Sequence, residues 1–196
     1  MGCGDTRRPR DPERDALPID SVQAAMARAT PSHIDSVFPA AEEARRFRRE
    51  VGDSTDTLRH AAASRDQLVE RFRVAVERND DPALRRLAVD AVEFASLVYL
   101  ASRNARDPYF LKPQTAWFQL NANSEHDAAV LLRKFGGQPF RIASVTCADT
   151  AIVEGKNRLW DGCRVRFAGD TTSARVFGRI IERERRFKFL SLANKL

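Results

Sequence analysis

Apolar residues recur with a period near 3.6 from Ser64 onward, and past Gly136-Gly137 the period drops to about 2, so the chain reads as helices followed by strands. Leu68, Phe72, Ala75 and Val76 form one apolar face behind the capping-box spacing of Ser64 and Gln67, which predicts a helix. Asn79-Asp80 stops it, and Asp81-Pro82 restarts the chain as an N-cap followed by a proline suited to the first helical position. Leu84, Leu87, Ala88 and Ala91 carry the stripe onward to complete a helix hairpin. Upstream, Asp20 or Ser21 can cap a short helix ended by Thr30-Pro31, and Pro39 leads residues 40–50 as helix until Gly52 stops them. Residues 92–100 are almost wholly apolar and so are buried in either conformation. Trp117 and Phe118 follow a loop with Pro108 and Pro113, and Ser124 with Asp127 has the spacing to cap a last helix. Beyond it, strands are expected at about 139–148, 158–168, 174–183 and 186–193, with a short one at 150–154. Turn chemistry at Gly155-Lys156-Asn157, Gly169-Asp170 and Glu184-Arg185 joins them into an antiparallel meander.

This order of elements places the chain in the α+β class, with N-terminal helices packed on an antiparallel sheet. Residues 1–17 are charged, hold Pro9 and Pro12 and lack periodic apolar positions, so they read as a disordered tail or tether. Residues 18–60 read as a helical preamble and 61–196 as the domain proper. At 196 residues and 43% hydrophobic content the chain is long enough to bury one sizeable core. It has no run of about 18 apolar residues that would span a bilayer as a helix.

Charge sharpens this picture in one place. The net charge is +6, and residues 136–196 alone hold 12 Lys/Arg against 6 Asp/Glu, so the excess lies in the strand region. Arg164 and Arg166 alternate on one strand, as do Arg175, Arg179 and Arg183 on the next. Side chains two apart share a strand face, which makes Arg164, Arg166, Arg175 and Arg179 candidates for an anion-binding face. A solvated Arg-rich exterior is the plainer reading. Phe167, Phe177, Phe187 and Phe189 read as core rather than as exposed stacking platforms, which argues against nucleic acid as the partner. A membrane surface, a small molecule or a protein remains as the partner class.

The three cysteines occupy different kinds of position. Cys147 ends an alternating segment and Cys163 lies inside another, so pairing of those strands would set the two opposite each other as a disulfide. The alternative is two free thiols in a cytosolic core. Cys3 stands in Met1-Gly2-Cys3-Gly4, where Gly2-Cys3 resembles what is left of a bacterial lipobox once the hydrophobic signal is removed, with Cys3 the lipidated residue. The same residues up to Thr6 also fit a myristoylation pattern with Cys3 open to palmitoylation. Lipobox and disulfide both point to the bacterial cell envelope, whereas free thiols would suit the cytoplasm.

The helix hairpin Leu68-x3-Phe72, then Asn79-Asp80-Asp81-Pro82-x-Leu84, ahead of further helices and an antiparallel sheet, resembles the nuclear-transport-factor-two-like superfamily over roughly residues 64–196. That superfamily includes ketosteroid isomerase and many polyketide cyclases. The stretches Ile34-Asp35-Ser36-Val37-Phe38-Pro39, Ser64-Arg65-Asp66-Gln67-Leu68-Val69, Phe177-Gly178-Arg179-Ile180-Ile181-Glu182-Arg183 and Phe187-Lys188-Phe189-Leu190-Ser191 look like uncharacterised secreted or lipid-anchored bacterial proteins. The superfamily resemblance implies a cone-shaped, cystatin-like fold whose curved sheet wraps a helix around a pocket used for catalysis or for binding alone.

Such a pocket, if catalytic, needs a carboxylate base facing a donor for a developing oxyanion. Glu93 or Asp90 is the candidate base and Tyr99 or Tyr109 the candidate donor. The plainer reading gives Glu93 an ion pair and Tyr99 a bonded hydroxyl in the core. Trp117, Trp160 and Tyr109 are candidates to line the pocket. His33, His60 and His126 share no metal-ligand spacing, and no phosphate loop, nucleophile elbow or CxxC is present, so neither metal nor cofactor is expected. A non-catalytic binding or interaction module is the leading expectation, with an isomerase- or cyclase-type enzyme as the alternative.

Overall fold

The computed structural model describes residues 38–195. Cys3 and the helix expected near residue 21 lie outside this range. Helix α1 spans Ala40–Glu50 and ends at Gly52, whose φ of +77° is a conformation that glycine adopts without strain. Helix α2 spans Arg65–Glu77. The Ser64 hydroxyl accepts from the Gln67 N–H, while the Gln67 side chain reaches back to the Ala63 N–H instead of to Ser64. Helix α3 spans Asp81–Arg86 and is capped by Asp80, one residue earlier than the proline spacing suggests, because the Asp80 carboxylate reaches the Ala83 N–H.

A short helical turn, α4, spans Ala91–Glu93 and runs into a π-helical turn over Phe94–Val98, then 3-10 turns at Tyr99–Ala101 and Arg103–Ala105. The apolar run is therefore helical. Phe94, Ala95, Leu97 and Val98 all lie inside, consistent with a segment that has no polar face to give to water. Helix α5 then runs unbroken over Pro113–Phe135. Ser124 and Asp127 do not begin a helix within it. Both side chains instead accept backbone N–H groups of the C-terminal segment, at Leu192 and Asn194, each a 68- or 67-residue jump along the chain.

Seven strands follow: β1 Ile142–Thr146, β2 Ile152–Glu154, β3 Asn157–Trp160, β4 Arg164–Phe167, β5 Ser173–Ala174, β6 Ile180–Arg183 and β7 Arg186–Phe189. They form two antiparallel sheets, ordered β1–β4–β5 and β2–β3–β6–β7, where the sequence pattern suggests one meander. The expected strands at 158–168 and 174–183 are each cut in two. At the first cut Gly162 takes φ of +64°, and at the second Gly178 packs where a Cβ would come within 2.9 Å of the Ser191 carbonyl oxygen. At both corners the chain leaves one sheet for the other. The β6–β7 hairpin turns through Glu184-Arg185, both at positive φ, the primed geometry that matches strand twist.

The four-stranded sheet has a hydrophobic cluster on each face. Trp160, Ile180 and Phe189 are aligned across one face and join Leu68, Phe72, Leu84 and Phe177. Phe72 is the hub of this cluster, with ring centroids 5.3–6.0 Å from those of Phe140, Phe177 and Phe189. Leu159, Ile181 and Lys188 are aligned on the other face, where Leu159 and Ile181 join Phe47 of α1 with Phe94, Val98 and Tyr99. Strands β3, β6 and the edge strand β7 are thus covered on both faces, which decides the fate of Lys188 in β7.

Candidate anion-binding face

Among the described residues, the three-stranded sheet is covered on one face only. The register pairs Val145 with Val165 and Val165 with Ala174, and these residues turn inward. On the opposite face Ser144 pairs with Arg166, Thr146 with Arg164, and Arg166 with Ser173. Alternation along β4 leaves Arg164 and Arg166 exposed and buries Val165 between them. Two guanidinium groups therefore stand in a row between hydroxyl side chains on either side. Arg164 is held in place: its Nε donates to the Ser173 hydroxyl at 2.8 Å and Nη2 to the Ser173 carbonyl. Its remaining N–H groups are not used in those bonds. Arg166 is exposed and forms no ion pair with any described residue. Guanidinium forks and hydroxyl donors together match phosphate or carboxylate oxygens.

The other two arginines proposed for this face are placed differently. Arg175 lies just past β5, in an isolated bridge with Lys195 that adds a second cation to this edge. Arg179 sits on the crossover to the other sheet and is committed to Asp161 at 2.9 Å. Burial pushes the Asp161 carboxyl up, but the Gly162 N–H and the Arg179 guanidinium pull it down further, leaving it below the usual carboxylate range. The hydroxyl partners Ser144, Thr146 and Ser173 were not legible as site residues, because only the strand register places them beside the arginines.

The acid–base candidates do not converge on a common space. Glu93 is completely buried. One of its carboxylate oxygens accepts from the Arg59 N–H, and the other accepts from the Asp90 N–H at 3.0 Å and the Lys188 ammonium at 2.8 Å. Asp90 is the reciprocal cap, accepting from the Glu93 N–H at 2.9 Å and pairing with the Arg59 guanidinium at 2.7 Å. The Tyr99 hydroxyl donates to the Leu111 carbonyl at 3.0 Å. Burial pushes the Tyr99 phenol up from its ordinary value, with the Glu43 charge adding to the effect. A raised pKa means that the folded chain disfavours the phenolate, so Tyr99 stabilises fully below about pH 10, the unfolded value, and loses this as pH rises through the folded one. Ultraviolet titration should accordingly show a late, unfolding-linked phenolate phase that the Tyr99→Phe variant lacks. A Tyr99→Phe titration with the same late phase would mean that Tyr99 is not its source.

The aromatic candidates separate likewise. Trp117 packs on Phe94 at 5.5 Å between centroids and lines a cavity of about 160 Å³ together with Asp90. Trp160 donates its indole N–H to Glu182 at 3.0 Å, carries the Arg65 guanidinium 4.3 Å from its centroid, and lines a cleft of about 400 Å³ beside Cys147. Tyr109 is exposed, with the Arg103 guanidinium 5.5 Å from its ring centroid. Cys147 and Cys163 form the expected disulfide, continuing the β1–β4 register by one pair beyond Thr146 and Arg164. No cluster of three or more His, Cys, Asp or Glu side chains suited to a metal occurs among the described residues, and no helix there is long and apolar enough to cross a membrane. Comparison of the chain with protein-family models, with curated proteins and with solved structures finds no match.

Proposed function

We propose that the chain is a non-catalytic binding module of the bacterial cell envelope whose basic sheet face engages an anionic ligand or partner. The observation that carries this reading is the row of Arg164 and Arg166 set among Ser144, Thr146 and Ser173. A binding role rather than a catalytic one is supported by Glu93 and Tyr99, whose polar atoms are taken up by Lys188, two backbone N–H groups and the Leu111 carbonyl. The disulfide supports an oxidising compartment, and Gly2-Cys3 supports attachment through lipid on Cys3. The order of a helix hairpin, further helices and antiparallel strands supports kinship with the cone-shaped nuclear-transport-factor-two-like proteins.

Binding to a sulfated or phosphorylated polymer, measured across a salt series, tests the role of the face. The Arg164→Gln/Arg166→Gln variant should bind more weakly, with a log K against log salt slope shallower by roughly one to two. Arg48→Gln/Arg49→Gln, which removes the same charge from a half-buried and an exposed position in the last turn of α1, should bind like the parent. Surface changes of this kind alter stability by about 0.5 kcal/mol at most, so folding does not confound the comparison. Equal losses in both variants would mean that net charge, not the face, does the binding.

A further inference from the structure

A cavity of about 440 Å³ opens at the end of the β1–β4–β5 sheet where α5 gives way to β1. Phe135 from the last turn of α5, Phe140 just before β1, and Phe167 at the end of β4 form its aromatic side, with ring centroids 5.0–5.9 Å apart. Phe140 is buried, whereas Phe135 and Phe167 remain half-buried and keep ring surface on the cavity. Ala168 and Ala174 also line it, and their small side chains leave space where larger ones would close it. Two exposed cations, Lys134 and Arg141, stand on the rim, and Arg141 is tied to Ala168 through a backbone hydrogen bond of 2.9 Å. Asp170 shares the rim.

An apolar pocket of roughly 300–1,000 Å³ with a few polar groups at its mouth is the usual form of a small-molecule site. Apolar walls with cations at the mouth select an alkyl chain ending in an acid. Asp170 repels a second negative charge, which favours a carboxylate or phosphodiester over a phosphomonoester. We infer that this cavity binds the alkyl chain of a mono-anionic amphiphile, with Arg141 and Lys134 holding the acid group. The site is distinct from the face that carries Arg164 and Arg166, so either can fail without the other.

Calorimetry with octanoate, decanoate and dodecanoate, each below its micelle concentration, provides the test. Saturable one-to-one binding is expected, with affinity rising by about fourfold for each methylene buried. Dodecyltrimethylammonium, of equal chain length and opposite charge, should bind at least tenfold more weakly. Ala168→Trp should block the cavity and cost at least tenfold in dodecanoate affinity. Thr172→Trp, at another exposed lining position, serves if the first variant does not fold. Lys134→Glu/Arg141→Glu should cost a similar factor while keeping the chain-length dependence, and Arg164→Gln/Arg166→Gln should leave dodecanoate binding unchanged. Sedimentation with phosphatidylglycerol vesicles distinguishes the source of the chain: loss of vesicle binding in Ala168→Trp assigns it to a membrane lipid, and binding of free dodecanoate alone assigns it to a soluble acid. No saturable heat, no dependence on chain length, equal binding of the cationic amphiphile, or full affinity in the blocked variants would each overturn the assignment.

Discussion

Replacing Lys188 by methionine should destabilise the fold by about 3–5 kcal/mol, the largest effect expected from a single substitution outside the aromatic core. Lys188 is 2% exposed and Glu93 0%, and their side chains meet at 2.8 Å on the face of the four-stranded sheet that packs against α1 and the π-helical turn. Methionine fills the lysine's volume but leaves a fully buried carboxylate without the cation that contacts it. Its two remaining donors, the N–H groups of Arg59 and Asp90, cannot neutralise it. For a chain of this length the loss corresponds to a melting midpoint lower by roughly 6–20 °C. The pair also couples distant sequence, since Glu93 caps α4 while Lys188 lies 95 residues later in β7. A double-mutant cycle adding Glu93→Gln separates the coupling from the burial: the double variant should be less destabilised than the sum of the two singles. A Lys188→Met protein within 1 kcal/mol of the parent would show that the pair contributes nothing net.

Lys188 also shows where reading the sequence stops. In Phe187-Lys188-Phe189 strict alternation puts the phenylalanines inside and the lysine in water. That inference assumes a sheet wetted on one face, and β7 is covered on both. Whether a second layer covers a strand depends on elements more than 90 residues away, which no local period encodes. The helices were more legible, because their signals are local: the Ser64 cap, the apolar stripe of α2 and the Gly52 stop all act within a few residues. Ser124 and Asp127 mark the boundary between the two cases. Their spacing suits a helix start, but helix formation continues through them from Pro113, and the same acceptors serve the chain end at Leu192 and Asn194.

Strand existence was legible and sheet membership was not. The alternating stretch from Leu159 to Phe167 keeps its period across Asp161-Gly162, yet the chain turns a corner there and changes sheets. The candidate face follows the same division. Arg164 and Arg166 could be read as neighbours because they are two apart on one strand, whereas Ser144 and Ser173 enter only through register. Arg179 fits the same spacing rule with Arg175 but lies beyond the second corner, where Asp161 takes it.

Removing the disulfide should cost about 3 kcal/mol, the chain-entropy value for a loop closed by cysteines 16 residues apart. The closed segment contains the β2–β3 hairpin, and β3 belongs to the sheet that β1 and β4 do not join. The bond therefore ties the last pair of one sheet to the corner from which the other begins. Cys163 is 3% exposed, while Cys147 is half-buried and lines the cleft beside Trp160, so a reductant meets the bond from the Cys147 side. Intact mass after alkylation of the unfolded chain should show two thiols, Cys147 and Cys163, that become reactive only with reductant. Cys147→Ala/Cys163→Ala should lower the melting midpoint by roughly 6–12 °C. The parent should show the same drop on reduction, while the variant should be indifferent to reductant. Cys147 and Cys163 alkylated without reductant would remove the bond, and with it the structural argument for an oxidising compartment. Two thiols gained only on reduction but no change in midpoint would keep the bond and locate its effect elsewhere: the hairpin and the β3–β6 pairing would then order this segment without it, and the cross-link would serve mainly to protect Cys147 and Cys163 from other chemistry.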